Sequence, residues 1–252
     1  MSTNTDTNKY TILFAIGMVV IVGSLLAFTA SSLKPNIQEN ERMEKQQNIL
    51  YAMGINENGA TDIKFIGTDK VSGEFSKYIS KQLTINADGS SDENLEAYLI
   101  DVKKEQAKAK NGGTRELPLF VGKKEEETFY IIPIRGKGLW DAIWGYVALD
   151  EDMVVQGAFF DHAAETPGLG ANIKQRYFMD DFVGEKLLSD NGDFKGITVA
   201  KGNNDPKNLT KDDYEVDALA GATITGDGVS AMIKSDLKLY LPYFKNLKNQ
   251  LN

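Results

Sequence analysis

The chain contains no cysteine, which excludes disulfides, thiolate metal sites and cysteine nucleophiles together. Histidine is nearly as scarce. His162 is the single one in 252 residues, so a multi-histidine zinc site or a Ser-His-Asp triad has only that residue to draw on. Positive charge is in deficit, with 28 Lys and Arg against 36 Asp and Glu and a net charge of −8. That balance excludes the basic surface on which nucleic-acid binding depends. No repeat of solenoid period occurs. No Gly-x-Gly-x-x-Gly turn follows a strand and opens a helix, because Gly136-Lys137-Gly138 lacks the third glycine. What remains is ordinary for a folded protein: 42% hydrophobic and 25% charged residues, enough to bury a core.

One long hydrophobic run is present. Residues 11–30 read TILFAIGMVVIVGSLLAFTA, without a charge. As a helix, such a run extends roughly 30 Å, the thickness of a bilayer core. A cleavable signal has a shorter apolar region behind a clear basic cluster. Here Lys9 stands alone ahead of the run and Phe28 spoils the Ala-x-Ala pattern ending at Ala30. We therefore expect a retained transmembrane anchor in contact with lipid. Lys34, Arg42 and Lys45 follow the span, so the positive-inside count by itself opposes an outward-facing C-terminal part.

The expected organisation is a short tail (1–10), the anchor (11–30), a juxtamembrane helix with an N-terminal α/β subdomain (31–112) and a second domain (113–252). Pro35 is expected to end the anchor, and a helix over 37–53 to close at Gly54. Residues 61–67 suggest a short strand. Residues 91–110 carry helical spacing and break at Asn111-Gly112-Gly113. Strands are expected at 128–134, 143–149, 153–160 and 197–200, with Asp150-Glu151-Asp152 as a hairpin turn. The run Lys123 to Glu127 reads as a solvated turn. Residues 228–241 read as a helix stopped by Pro242. The fold class is α+β.

Three segments carry candidate chemistry. Asp217-Ala-Leu-Ala-Gly-Ala-Thr223 is followed by Ile224-Thr225-Gly226. Small residues at Ala220, Gly221 and Ala222 let backbone approach a bulky group, and a helix starting nearby offers amide donors to an anion. Thr223 or Thr225 could hold a phosphate covalently; the plainer reading is a tight turn with Thr225 as helix N-cap. Gly136-Lys-Gly-Leu-Trp-Asp141 places Trp140, a flat apolar face with one N–H, on a turn; an ordinary hairpin fits equally. Glu165-Thr-Pro-Gly-Leu-Gly170 forms a rigid loop able to present Thr166. Glu165 reads as a proton relay or a cap, and His162 as a hydrogen-bonded structural residue.

These three motifs, running along the chain as 136–141, 165–170 and 217–223 behind one N-terminal span, resemble those of the C-type subunits of the Na+-translocating NADH:quinone reductases. The resemblance runs from the anchor to the last helix. It implies a mixed α/β FMN-binding domain in which the threonine closing Asp-x-x-Ser/Thr-Gly-Ala-Thr, here Thr223, is esterified to FMN. We expect the flavin site around it to comprise Trp140, Glu165, Thr166, Leu169, Gly221, Ala222 and Thr225, with Trp140 and Leu169 walling the ring and Thr166 supplying a polar contact. The implied setting is a bacterial inner-membrane complex, with the domain outside the cytoplasm, electron transfer through flavin and a flavin transferase acting during maturation. One position departs from the pattern: Ala220 replaces the family's Ser/Thr. The G-type flavin subunits of the ferredoxin:NAD oxidoreductase complexes share the Gly-Ala-Thr motif and the anchor. A flavin-free anchored assembly protein, with the motif as a plain turn, belongs to another class.

Overall fold

The computed structural model describes residues 7–59, 62–203 and 205–251. Two compact units make up the chain, residues 1–42 and 43–252. The first is built on helix α1 (Asn8–Ala52), whose last turns belong to the second. Over its apolar part α1 buries nothing: Val19 is 72% and Phe28 73% exposed. A core helix of a soluble protein would bury one face. Among the described residues this is the one helix long and apolar enough to cross a bilayer. Of the expected tail, residues 1–6 lie outside the described residues, and helix has already begun at Asn8. Pro35 does not end the helix but sits inside it. Proline removes one ladder bond there, and it lies beyond the apolar run, where water can solvate the freed carbonyl of Ser31.

In the second unit α1 ends where its sequence indicates. Gly54 takes φ +73°, its N–H donates to the Tyr51 carbonyl, and the Ile55 N–H donates to Leu50. That pair of bonds is a Schellman closure, which a residue with a Cβ makes at a cost.

Six antiparallel strands form the main sheet in the order β2-β1-β3-β4-β5-β6. They are β1 (Ile79–Ile85), which directly follows helix α2 (Val71–Tyr78), β2 (Ser91–Glu93), β3 (Leu117–Lys124), β4 (Glu127–Lys137), β5 (Ala142–Leu149) and β6 (Val155–His162). The central strands are buried along nearly their whole length. Such continuous burial means that both sheet faces are covered. Gly122 and Gly136 identify the covers. The register Gly122↔Phe129 puts Gly122 and Gly136 on opposite faces, because successive β4 residues alternate. A Cβ on Gly122 would run into Met53, just past α1; one on Gly136 would lie 2.8 Å from Met232 Cβ, in α5 (Thr223–Met232). The end of α1 thus covers one face and α5 the other.

The Lys123–Glu127 hairpin and the Asp150 turn form as expected. Asp150 Oδ1 accepts from the amides of Asp152 and Val154, both at 2.9 Å. Three other expectations fail. Residues 62–67 form no strand; Thr61 lies outside the described residues. Residues 91–110 are not one helix but β2, a single 3-10 turn (Ala97–Leu99) and α3 (Val102–Lys110). Asp101 caps α3, accepting from Lys103 and Lys104 N–H, so the helix starts late. The sheet also runs across the boundary expected at 112/113, since β1 pairs with β3.

Pro242 stops nothing. It is the second residue of α6 (Leu241–Leu251), in a first turn where a missing N–H costs no bond. Between α5 and α6 lie a π segment (Ile233–Leu237) and a 3-10 turn (Lys238–Tyr240). The π turn carries Asp236, 1% exposed, into the sheet. Its carboxylate takes Arg115 Nη1 and the Arg135 N–H, each at 2.8 Å, and Gln106 Nε2 at 3.2 Å. This knot ties the helical layer above β4 to the strand. A short parallel pair, β7 (Thr198–Val199) and β8 (Glu215–Val216), leads into the Asp217 motif. Between β6 and β7 lie a 3-10 turn (Gly170–Lys174) and α4 (Arg176–Asp180).

Candidate functional site

The three sequence motifs meet at one carboxylate. Glu165 is 4% exposed. Its Oε1 accepts the Trp140 N–H at 2.9 Å, and its Oε2 accepts the Thr225 hydroxyl at 2.5 Å. One side chain therefore joins the β4–β5 loop, the 165–170 loop and the first turn of α5. Burial alone would raise its pKa, but the Thr225 hydroxyl and the amides of Trp140, Leu139 and Asp141 outweigh it. The carboxyl is held below its usual range and stays ionised at neutral pH. Room for it comes from two glycines. A Cβ on Gly138 would lie 2.5 Å from Glu165 Oε1, and one on Gly170 would collide with both Glu165 Oε2 and Thr225 Oγ1. The second and third motifs thus need their glycines for this carboxylate. The sequence showed Gly138 and Gly170 only as turn and loop residues; that they make room for a carboxylate depends on the packing of the two loops.

Each loop is built by local rules. Thr166-Pro167-Gly168-Leu169 closes as a type II turn, with Gly168 at φ +78° and the Leu169 N–H on the Thr166 carbonyl at 3.1 Å. Leu219 to Ala222 repeats the device, with Gly221 at φ +69° and the Ala222 N–H on Leu219 at 3.0 Å. Ala220 occupies an exposed corner of that turn. A hydroxyl there would face outward, so its loss leaves the turn itself intact.

α5 then begins at Thr223, with Ala222 as cap and no side-chain cap bond. The expectation that Thr225 caps the helix is thereby overturned. The cap lies three residues earlier, at Ala222, and the Thr225 hydroxyl donates to Glu165 instead. Thr225 is 1% exposed, whereas Thr223 is exposed. First-turn amides have no intrahelical acceptor, so α5 presents N–H donors and a partial positive charge beside the Thr223 hydroxyl.

The same loops and the start of α5 leave apolar side chains exposed. Trp140 is 65%, Ile224 57%, Leu139 47% and Leu169 42% exposed. The Trp140 indole N–H donates to Thr166 Oγ1 at 3.2 Å, which orients its ring, and a Leu169 methyl lies 2.8 Å from where a Gly221 Cβ would be. Leu139 and Ile224 were missed by sequence reasoning; apolar residues beside the motif were the available signal. His162 stands behind the loop, accepting the Glu165 N–H on Nδ1 at 3.2 Å. Asp217, opening the motif, lines a small cleft with Asp205, Asn208 and Glu215. Burial, then the charge of Asp205, raises its pKa.

Residues 138–238, the segment holding every one of these groups, match the FMN-binding domain family. The chain is 30% identical over 238 residues to the C-type subunit (NqrC) of the Na(+)-translocating NADH-quinone reductase of Yersinia pestis, covering 90% of this chain and 87% of that protein. The chain belongs to the NqrC family. The Pseudomonas aeruginosa member is 28% identical, with 91% of each chain covered. Among solved structures of the family, that from Parabacteroides distasonis superposes with TM-score 0.71 at 29% identity, covering 84% of this chain and 96% of that one. The Shewanella oneidensis NqrC gives TM-score 0.61 at 25% identity, covering 84% and 98%. Matches of this extent exceed what the sheet alone would supply.

Proposed function

We propose that this chain is an electron-transfer flavoprotein of a Na+-translocating NADH-quinone reductase, with FMN esterified to Thr223. The observation that carries the reading is the position of Thr223. Its exposed hydroxyl opens α5 inside the FMN-binding match, while Thr225 is buried and engaged with Glu165. The residues fit the group. First-turn amides of α5 suit the single negative charge of a phosphodiester, and the exposed faces of Trp140, Leu139, Leu169 and Ile224 suit a flat apolar ring. The Thr166 hydroxyl and the Trp140 indole N–H are the polar groups beside those faces. FMN, when bound, supplies the redox chemistry; the protein supplies attachment, orientation and electrostatics.

In this reading Thr223 retains the cofactor by a covalent bond, and Gly221 and Ala222 keep the approach to it open. Residues 11–30 hold the domain at the inner membrane, on its outer face. The other subunits of the complex bind NADH, reduce quinone and export sodium. A flavin transferase installs the FMN. Thr223→Ala, expressed beside a flavin transferase, tests the assignment. We expect the in-gel fluorescence of denatured protein and the added FMN mass to vanish while the melting temperature stays within about 2 °C, because the exposed hydroxyl makes few contacts. Flavin retained in full, or mapped by peptide mass to Thr225, would refute it.

A further inference from the structure

We propose that Glu165 is a positioning residue whose fixed negative charge, buried between the acceptor helix and the Trp140 loop, lowers the reduction potential of the flavin held at Thr223. The proposal rests on the reading above and adds a role for a residue that does not itself undergo the chemistry.

Four observations converge on it. The carboxylate is 4% exposed, so water screens it poorly. It is bonded to Thr225, two residues along the same helical turn from the attachment point, and to the backbone of Trp140. Gly138 and Gly170 leave it room, and its bonds to the Trp140 N–H and the Thr225 hydroxyl hold it there. Beneath it the His162 ring accepts the Glu165 N–H, fixing the loop from behind. A hydrogen-bonding need alone would be met by a neutral amide; what a carboxylate adds is charge. Reduction of the flavin adds two electrons with one proton taken from water, a net gain of one negative charge on the ring. A nearby negative charge raises the energy of the added electrons and disfavours that change. The Thr225 hydroxyl, donating into the carboxylate, tempers the effect. Charge near a flavin ring is among the means by which a protein tunes it.

Two substitutions separate charge from shape in the full chain, purified in detergent and loaded by a flavin transferase. Glu165→Gln keeps an acceptor for the Trp140 N–H and fills the same space without charge. We expect it to raise the potential by at least about tenfold in the reduction equilibrium, about 30 mV for a two-electron couple. Thr225→Val keeps the charge and removes the donor, and we expect a shift in the opposite direction. Intact mass is read first on each protein. Absence of FMN from the wild type refutes the attachment reading itself. FMN present with both potentials unchanged, or both shifted the same way, overturns the role of Glu165 and leaves the attachment standing. If Glu165→Gln folds without accepting FMN, Thr225→Val decides: a lowered potential supports the proposal, and an unchanged or raised one overturns it.

Discussion

Adding one methyl group at Gly170 tests whether the Glu165 clamp is as tightly built as its geometry states. The methyl of Gly170→Ala would collide with Glu165 Oε2 and Thr225 Oγ1. Contact with the far end of a flexible side chain is normally relieved at little cost, but this end is pinned by the Trp140 amide and the Thr225 hydroxyl. Either the neighbours yield, at about 1–3 kcal/mol for overpacking, or the carboxylate leaves and forfeits a hydrogen bond worth about 1.5–3 kcal/mol to a charged acceptor. The two routes are alternatives, so the expected loss is about 2–3 kcal/mol. For a domain of this size that lowers the melting temperature by roughly 4–12 °C. Gly168→Ala is the matched control. A methyl on Gly168 would meet nothing within 4 Å, but the residue sits at φ +78°. The control therefore carries only the left-handed strain of an alanine, about 1–2 kcal/mol, which corresponds to roughly 2–8 °C. Thermal melts of the three full-length proteins in one detergent decide the matter. A Gly170→Ala melt indistinguishable from wild type, or a smaller loss than for Gly168→Ala, would refute the reasoning.

Glu185 is 0% exposed, and burial pushes its pKa up to about 7 against the pull of Lys211, 3.4 Å away. The folded state therefore holds a proton that the unfolded chain releases near its ordinary pKa of 4.5. Stability from this group is complete below that value and is lost as pH rises toward 7, by about 3 kcal/mol. Asp181, raised to about 6 by burial and by the Asp217 charge, acts in the same direction. Glu185→Gln should flatten the fall in melting temperature between about pH 5 and 8; an identical slope in both proteins counts against the buried carboxylate. Asp236→Ala removes the acceptor that Arg115 and the Arg135 amide share, and should cost about 3–5 kcal/mol. Denaturant titration showing less than about 1 kcal/mol would mean that the π turn is not held by this carboxylate.

The elements legible in sequence were those whose cause is local. Residues 11–30 announce a span because no charge interrupts them, and Gly54 announces a helix end because few other residues adopt its φ cheaply. The strands after Leu117 are visible as apolar runs between turns, and Asp150 shows its hairpin through side-chain bonds to its own turn. Pro35 and Pro242 misled because a proline's effect depends on where in a helix it falls, which the neighbouring turns decide. Residues 91–110 misled because Asp101 caps the helix partway through an otherwise helical pattern.

At the site the division is the same. Sequence motifs marked Thr223, Trp140, Glu165 and Thr166, but which of Thr223 and Thr225 is exposed is a matter of packing. Both hydroxyls lie in one turn of the chain, and only the tertiary contact with Glu165, sixty residues away, engages one and leaves the other exposed. Local sequence determined where the anchor, the hairpin turns and the strands after Leu117 would form. Packing across the sheet decided which carboxylate meets which hydroxyl, because a contact between distant segments depends on the register of every strand between them.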